Sequence, residues 1–211
     1  MPARVSETFI LRTYPLRESD LVVSFLTRDQ GKLRGVARRA RRPKNRFGAG
    51  LERLSQVRLA YFQKENRELV NLDSCEIIRS QFDLMQSYEA GVALDFFAEV
   101  ADQMLPPGEP NERFFRLLRA VLEYLHAGGM VWAAVAYFSL WTVRLSGILP
   151  EMRISQESES IAMEILTTPV AELTAREWTK YTASDLRHFL VRQMEEHVER
   201  RLITASALEA L

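Results

Sequence analysis

The stretch LVVSFLTRDQGKLRGVA, from Leu21 to Ala37, decides the fold of this chain. Its first six residues, Leu21–Leu26, are mostly apolar and rich in residues that favour β-strands. Thr27–Gly31 then has the composition of a hairpin turn, in which Gly31 is free to take a positive φ. Lys32–Ala37 continues as a second strand, so the stretch predicts a β-hairpin.

Three further segments of the first 80 residues have the pattern of strands. In one of them Val57, Leu59 and Tyr61 alternate with Arg58 and Ala60, which is the period of a half-exposed strand. The other two strands are predicted at Phe9–Leu11 and Leu69–Ile78. A turn at Glu65–Arg67 is predicted to precede the second of them. About five strands in so short a segment predict a small barrel or sandwich.

The hydrophobic period changes after Ser80 to that of α-helices, because apolar residues recur at spacings of three and four. The fold class is therefore α+β, with domains predicted at residues 1–80 and 81–211 and an irregular segment at about 147–170. The predicted helices run from Phe82 to about Val100, from Asn111 to about His126, from Met130 to about Leu145, over the capping-box motif Thr174–Glu177, and from Leu186 to Leu202.

The charge of the chain is distributed unevenly between these two halves. The whole chain of 211 residues has a formal net charge of zero, but residues 1–80 contain 17 basic and 9 acidic side chains. The first half thus carries a net charge of +8 and the second half −8. Such a split predicts two units with different surfaces, of which the first is suited to a polyanion.

Cysteine usage and hydropathy limit the possible compartments. Cys75 is the single cysteine, so no intrachain disulfide and no cysteine-rich zinc site is expected. The longest apolar run, Met130–Val143, has 14 residues, whereas a membrane-spanning helix needs about 20. Because the first 15 residues also lack the apolar core of a signal peptide, we expect a cytoplasmic protein that does not enter a membrane.

The common motifs of catalytic sites are missing from the sequence. It contains neither a P-loop nor a G-x-G-x-x-G motif, and His126, His188 and His197 do not have the spacing of a helical metal site. We therefore expect no catalytic residue, no metal and no cofactor. A nuclease site assembled only by the fold is the alternative that the sequence leaves open.

The stretch GVARRARRPKNRFGAG, from Gly35 to Gly50, carries six basic residues and no acidic one. Such a dense run of positive charge predicts a surface that binds the phosphates of a nucleic acid. We expect this binding to be independent of base sequence and to weaken as the salt concentration rises. Nearby aromatic rings could stack on the bases of a single strand. The alternatives are a solvated loop and aromatic residues that fill the barrel core. The predicted nucleic-acid-binding residues are Lys32, Arg34, Arg38, Arg39, Arg41, Arg42, Lys44, Arg46, Phe47 and Tyr61.

The same part of the chain resembles the RecO family of bacterial recombination mediators. The resemblance is carried by Leu16–Asp20, by Val23–Leu33 and by Gly35–Pro43, and it continues to Tyr61. It returns weakly in His197–Leu202. The resemblance implies an N-terminal five-stranded OB-fold barrel followed by an all-α helical domain.

The resemblance also implies a function in DNA repair and homologous recombination. Members of this family bind single- and double-stranded DNA, anneal complementary strands and help to load RecA onto DNA covered by single-strand-binding protein, with RecR as the working partner. A nucleoid-associated location follows from DNA binding. The alternative is a non-catalytic RNA-binding or adaptor protein that uses the same OB-fold surface.

One feature of the family pattern is missing. Many members carry two Cys-x-x-Cys pairs after a segment like Leu145–Pro150, and this chain has no cysteine there. We therefore expect this region to be held without zinc.

A second basic segment lies in the acidic half of the chain. Arg113, Arg116 and Arg119 recur at every third position of a predicted helix and form a stripe. Family members bind the acidic, aromatic-ended C-terminal tail of single-strand-binding protein through their helical domain, so this stripe is a candidate tail site. The alternative is a solvated helix face paired with local carboxylates.

Overall fold

The first part of the chain forms a closed five-stranded barrel. The computed structural model describes residues 3–63 and 68–211, so the predicted turn at Glu65–Arg67 lies outside the described residues. The strand order is β1-β2-β3-β5-β4, with β3 and β5 parallel and the other neighbours antiparallel. The strands are β1 (Arg4–Leu16), β2 (Asp20–Thr27), β3 (Gly31–Ala37), β4 (Gln56–Phe62) and β5 (Leu69–Arg79).

The hairpin predicted from Leu21 to Ala37 is confirmed as β2 and β3. Thr27 and Gly31 face each other at its end, and Gly31 has a φ of 72°. A side chain at Gly31 would also collide with the backbone of Glu109, because residues 101–115 pack against this end of the barrel. The Gly108 N–H donates a hydrogen bond of 2.8 Å to the Lys32 carbonyl in the same contact.

Alternating side chains from all five strands fill the barrel. The alternation of Val57, Leu59 and Tyr61 places all three inside, as the sequence predicts for one face of a strand. The other strand residues of this core are Ile10, Val23, Phe25, Ala37, Val70 and Leu72. Two further core residues, Phe47 and Leu51, come from the segment between β3 and β4.

The second part of the chain is helical. The helices are α1 (Tyr88–Met104), α2 (Glu112–His126), α3 (Val131–Leu145), α4 (Gln156–Thr167), α5 (Ser184–Val198) and α6 (Ile203–Glu209). Their packing divides the chain into one compact unit of Met1–Asp83 with Ala101–Phe115 and a second of Leu84–Val100 with Arg116–Leu211. The five-stranded barrel and the helices that follow confirm the predicted fold class, whereas the domain boundary near Ser80 stays a prediction.

The apolar helix predicted near Met130 is confirmed as α3, which is buried within the second unit. The rings of Phe97 and Phe138 lie 4.6 Å apart and join α1 to α3 there. Among the described helices, none combines the length and the hydropathy that crossing a bilayer requires.

Three predicted helix positions are wrong. The first helix begins at Tyr88, and Phe82 is exposed before it. No helix forms at Thr174–Glu177, because the Thr174 N–H and the Arg176 guanidinium both bind the carboxylate of Glu164. The last helix ends at Val198, since Glu199 takes a left-handed φ of 54°, and α6 follows it.

The segment predicted to be irregular, at about residues 147–170, contains helix α4 from Gln156 to Thr167 and is irregular on either side of it. Helix α4 begins at Gln156 because Ser155 caps it, with the Ser158 N–H donating to Ser155 Oγ at 3.3 Å. Asp185 at the start of α5 accepts hydrogen bonds from the Ser155 N–H, at 2.7 Å, and from the Ser158 hydroxyl. Residues 145–170 contain no cysteine or histidine, so the zinc site of many family members does not fit this chain.

Candidate nucleic-acid interface

The segment between β3 and β4, residues 38–55, forms a loop that is anchored in the barrel, and we call it the basic loop. The side chains of Phe47 and Leu51 lie in the barrel core. Asn45 Oδ1 accepts hydrogen bonds from the N–H groups of Phe47, at 2.8 Å, and of Gly48, at 2.9 Å. This anchoring gives the loop a defined course over the barrel surface.

The cations at the start of the basic loop point into solvent. Arg38, Arg39, Arg41, Arg42 and Lys44 are all exposed. Within the part of the chain that the structure describes, none of these five side chains forms an ion pair. Their charges are therefore available to an external polyanion.

The turn between β1 and β2 holds the start of the basic loop in place. Asp20 Oδ1 accepts a hydrogen bond of 2.8 Å from the Arg39 N–H, and the Ser19 carbonyl accepts one of 3.1 Å from the Arg41 N–H. Arg17 and Arg39 both have left-handed backbones, with φ values of 62° and 57°. Such strained positions persist where the surroundings fix them, and they concentrate at functional sites.

These two segments border a groove of about 740 Å³. The groove is lined by four arginines, Arg17, Arg38, Arg39 and Arg46, and by three carboxylates, Glu18, Asp20 and Asp73. Arg46 forms an ion pair of 2.9 Å with Asp73, so its charge is already partly compensated. The cationic end of the groove therefore lies at Arg17, Arg38 and Arg39.

Of the three cations predicted on β3, Lys32, Arg34 and Arg38, the first two lie on this strand and have different surroundings. Arg34 is exposed, and its guanidinium lies 5.9 Å from the centre of the Tyr14 ring. Lys32 is half-buried and donates a hydrogen bond from Nζ to the Asp102 carbonyl. Burial lowers the pKa of Lys32. Arg38 lies just beyond the end of β3, in the basic loop.

The two aromatic residues predicted to stack on bases are buried, although Phe47 also borders the groove. Phe47 is 4% exposed and Tyr61 is 0% exposed, and both belong to the barrel core. Burial also raises the pKa of the Tyr61 phenol. Because a stacked base needs an open ring face, this structure excludes both rings from that role and assigns them to packing.

The arginine stripe predicted on the second helix lies on α2. Arg113 and Arg116 are exposed, whereas Arg119 is partly buried and lies 3.8 Å from Glu123, one turn further along the helix. A surface pair of this kind contributes little free energy, at about 0.3–0.5 kcal/mol. The first two arginines are therefore the more accessible part of the stripe.

The single thiol lies beneath the basic loop. Cys75 Sγ contacts the Phe47 carbonyl at 3.2 Å, and burial raises the pKa of the thiol to about 11. A thiol with so high a pKa is a poor nucleophile at neutral pH. Among residues 3–63 and 68–211, no cluster of three or more His, Cys, Asp or Glu side chains is arranged to hold a metal ion.

Sequence reasoning did not select Arg17 or Asp20 for this surface. Both residues flank the turn that precedes the predicted hairpin, so their position near a strand end was the available signal. Their proximity to Arg39 follows from the pairing of β1, β2 and β3, which no local pattern shows.

Two profiles of protein families match the chain. The profile described as Recombination protein O N terminal matches residues 1–81. The profile described as Recombination protein O C terminal matches residues 85–162. The first match covers the whole barrel and the basic loop, and the second covers α1 to α3 and the first half of α4.

Curated relatives give the same result. The chain is 37% identical to "DNA repair protein RecO" from Koribacter versatilis (strain Ellin345), over 98% of both chains. It is 32% identical to the protein of that name from Anaeromyxobacter sp. (strain K), over 68% of this chain and 56% of the relative. The match to the Cutibacterium acnes protein of that name is 36% identical over 61% of this chain and 52% of the relative. The chain therefore belongs to the RecO family of DNA repair proteins.

Proposed function

We propose that this protein binds single- and double-stranded DNA through the basic loop and the adjoining groove, without reading base sequence. The observation that carries the proposal is the set of five exposed cations, none of them paired with an acid among residues 3–63 and 68–211, on a loop anchored by Phe47 and Leu51. Forked guanidinium groups suit phosphate oxygens, and their binding releases condensed counterions.

The same chemistry supports annealing of complementary strands. Phosphates on two strands repel each other, and a dense array of cations lowers that repulsion when both strands lie on one surface. Base pairing is then done by the strands themselves. We therefore propose that the protein acts as a non-catalytic mediator, which uses no cofactor and hydrolyses no nucleotide.

Membership of the RecO family supports the wider role. We propose that the protein helps to load RecA onto DNA covered by single-strand-binding protein, with RecR as partner, in the cytoplasm at the nucleoid. The exposed arginines Arg113 and Arg116 on α2 are proposed to contact the acidic C-terminal tail of single-strand-binding protein, with a smaller part for Arg119. The double change Arg113→Glu and Arg116→Glu should abolish binding of a tail peptide, and unchanged peptide affinity would contradict this part of the proposal.

An annealing assay with labelled complementary oligonucleotides tests the main proposal. The pure protein should accelerate duplex formation without ATP and leave both strands intact in the presence of Mg²⁺. Cleavage with Mg²⁺ would show a nuclease instead. A strong preference for RNA over DNA of the same sequence would favour the RNA-binding alternative.

A further inference from the structure

Tyr14 on β1 lies on the outer surface of the barrel, outside the core cluster that holds Phe47 and Tyr61. Its ring is half-buried and two guanidinium groups lie over it. The Arg12 guanidinium is 5.0 Å from the ring centre and the Arg34 guanidinium is 5.9 Å away. Both arginines are exposed, so solvent reaches the two side chains that lie over the ring.

The strand register explains how these residues meet. Arg12 on β1 and Arg34 on β3 both lie opposite Ser24 on the strand between them. One step further along the sheet, Tyr14 lies opposite Val22, which lies opposite Val36. Since alternate residues share a face, Arg12, Tyr14, Val22, Arg34 and Val36 lie on the outer face of the sheet, with Val22 buried among them, and we call this set the Tyr14 patch.

The Tyr14 patch continues into the groove beside the basic loop. Arg17 follows Tyr14 by three residues and lies in the turn just beyond the end of β1. Arg38 follows Val36 by two residues and lies just beyond the end of β3. Arg17 and Arg38 both line the groove, so the groove begins where the two strands that carry the patch end.

One end of the patch is closed by the protein itself. The Ser24 hydroxyl donates a hydrogen bond to Asp102, and Lys32 binds the Asp102 backbone. A nucleic-acid strand therefore approaches Tyr14 from the groove side, where the cations are, and not from the side of Asp102.

We propose that Tyr14 stacks on a base of single-stranded DNA whose backbone is held by the basic loop, while Arg12 and Arg34 leave the ring and contact phosphates. This inference rests on the proposed function and adds the contact that distinguishes single strands from duplexes. The loss of two exposed cation–π contacts is offset because the base stacks on the ring and both freed guanidinium groups gain phosphate contacts. A duplex keeps its bases paired, so it offers Tyr14 no free base.

Three ligands test the inference: a single-stranded oligonucleotide, an abasic oligodeoxyribose phosphate of equal length, and the duplex. Tyr14→Ala should weaken binding of the normal single strand by about tenfold, as expected for the loss of one stacked base. It should change the affinities for the abasic strand and the duplex by less than about twofold. Tyr14→Phe should bind all three ligands like the wild type, since the ring is retained. Tyr88→Ala removes an exposed tyrosine elsewhere and should have no effect.

Photocross-linking of the wild-type protein to an oligonucleotide with 5-iodouracil gives a second reading that does not depend on how a variant folds. The Tyr14 peptide should be the main product. The inference is overturned if Tyr14→Ala weakens all three ligands equally or none of them, or if the cross-link maps elsewhere. The proposed function would survive either result, because binding of the abasic strand and the duplex depends on the loop cations. In this experiment the proposed function fails if the wild type binds none of the three ligands.

Discussion

The carboxylate of Asp20 accepts a hydrogen bond of 2.8 Å from the backbone N–H of Arg39, and this contact fixes the start of the basic loop. Asp20 begins β2, so the contact joins a rigid strand to a loop that carries the cations. An acidic residue thus supports a surface that we propose to bind a polyanion. Removal of this carboxylate has two opposing effects on DNA affinity. Loss of the negative charge strengthens binding, whereas loss of the contact that fixes the loop weakens it.

Asp20→Ala and Asp20→Asn separate these two effects. Both remove one negative charge, which by itself strengthens DNA binding. Asparagine keeps an acceptor oxygen for the Arg39 N–H, whereas alanine does not. We expect the alanine variant to bind a single-stranded oligonucleotide about three- to tenfold more weakly than the asparagine variant, since one hydrogen bond contributes about 0.5–1.5 kcal/mol.

Fluorescence anisotropy at fixed salt measures both affinities. Glu18→Ala is the control, because it removes an exposed acid from the same turn without removing a contact to the loop. It should bind as tightly as the wild type or more tightly. Equal affinities for the two Asp20 variants would contradict the positioning role of this carboxylate.

Gly50 controls how the basic loop packs on the barrel. A side chain there would collide with Cys75 Sγ and press on the Phe47 carbonyl. Gly50→Ala should therefore lower the free energy of unfolding by about 1–3 kcal/mol, as other overpacking substitutions do. It should also weaken DNA binding, because the loop must move.

A double-mutant cycle with Cys75→Ala identifies the cause. Removing the sulfur makes room for the new methyl group, so the double variant should be more stable than the sum of the single changes predicts, by about 1 kcal/mol. Chemical denaturation gives all four free energies. Strict additivity would show that Gly50 and Cys75 do not press on each other.

Asp185 stabilises the junction of α4 and α5 in a pH-dependent way. Burial of this carboxylate opposes its charge, but hydrogen bonds from the Ser155 and Ser158 groups and from the Leu186 N–H outweigh burial and lower the pKa to about 2. Because the folded-state pKa is lower than that of the unfolded chain, the stabilisation is full above about pH 4 and is lost as the pH falls towards 2.

Asp185→Asn tests this dependence. The variant should be less stable than the wild type at pH 7, and the difference should shrink as the pH falls from 4 to 2, when the wild-type carboxylate is protonated. Asp83→Asn changes an exposed aspartate and serves as the control. A difference between wild type and Asp185→Asn that stays constant over this pH range would show that the charge of Asp185 is unimportant.

The barrel and most helices follow from hydrophobic periods that each segment carries in its own sequence. The hairpin at Leu21–Ala37 and the buried α3 needed no knowledge of the rest of the chain. One error arose where a distant partner replaced a local signal. Thr174 had a capping-box pattern, but its N–H is taken by Glu164, which lies ten residues earlier in the chain.

The positive charge of the candidate site could be predicted from the sequence. Which aromatic side chains lie on its surface was harder to predict. Tyr61 has the parity of Val57 and Leu59, so its strand pattern already placed it inside the barrel. Phe47 lies in a loop, where no period indicates which way a ring points. Tyr14 could not be selected from the sequence, because its two arginine neighbours come together only through the register of three strands.

The most direct test of the central proposal is the salt dependence of DNA affinity after removal of four loop charges. The variant changes Arg39, Arg41, Arg42 and Lys44 to alanine. The control changes four exposed arginines of the helical unit, Arg153, Arg192, Arg200 and Arg201, and so alters the net charge equally. Circular dichroism and thermal unfolding show whether both variants keep the fold.

We expect the loop variant to bind a single-stranded oligonucleotide about tenfold or more weakly at physiological salt. The slope of log K against log salt concentration should fall by about 0.7 for each phosphate contact that is lost. The control should keep the wild-type slope. An unchanged affinity and slope in the loop variant would contradict the account, because the basic loop would then be an ordinary solvated loop.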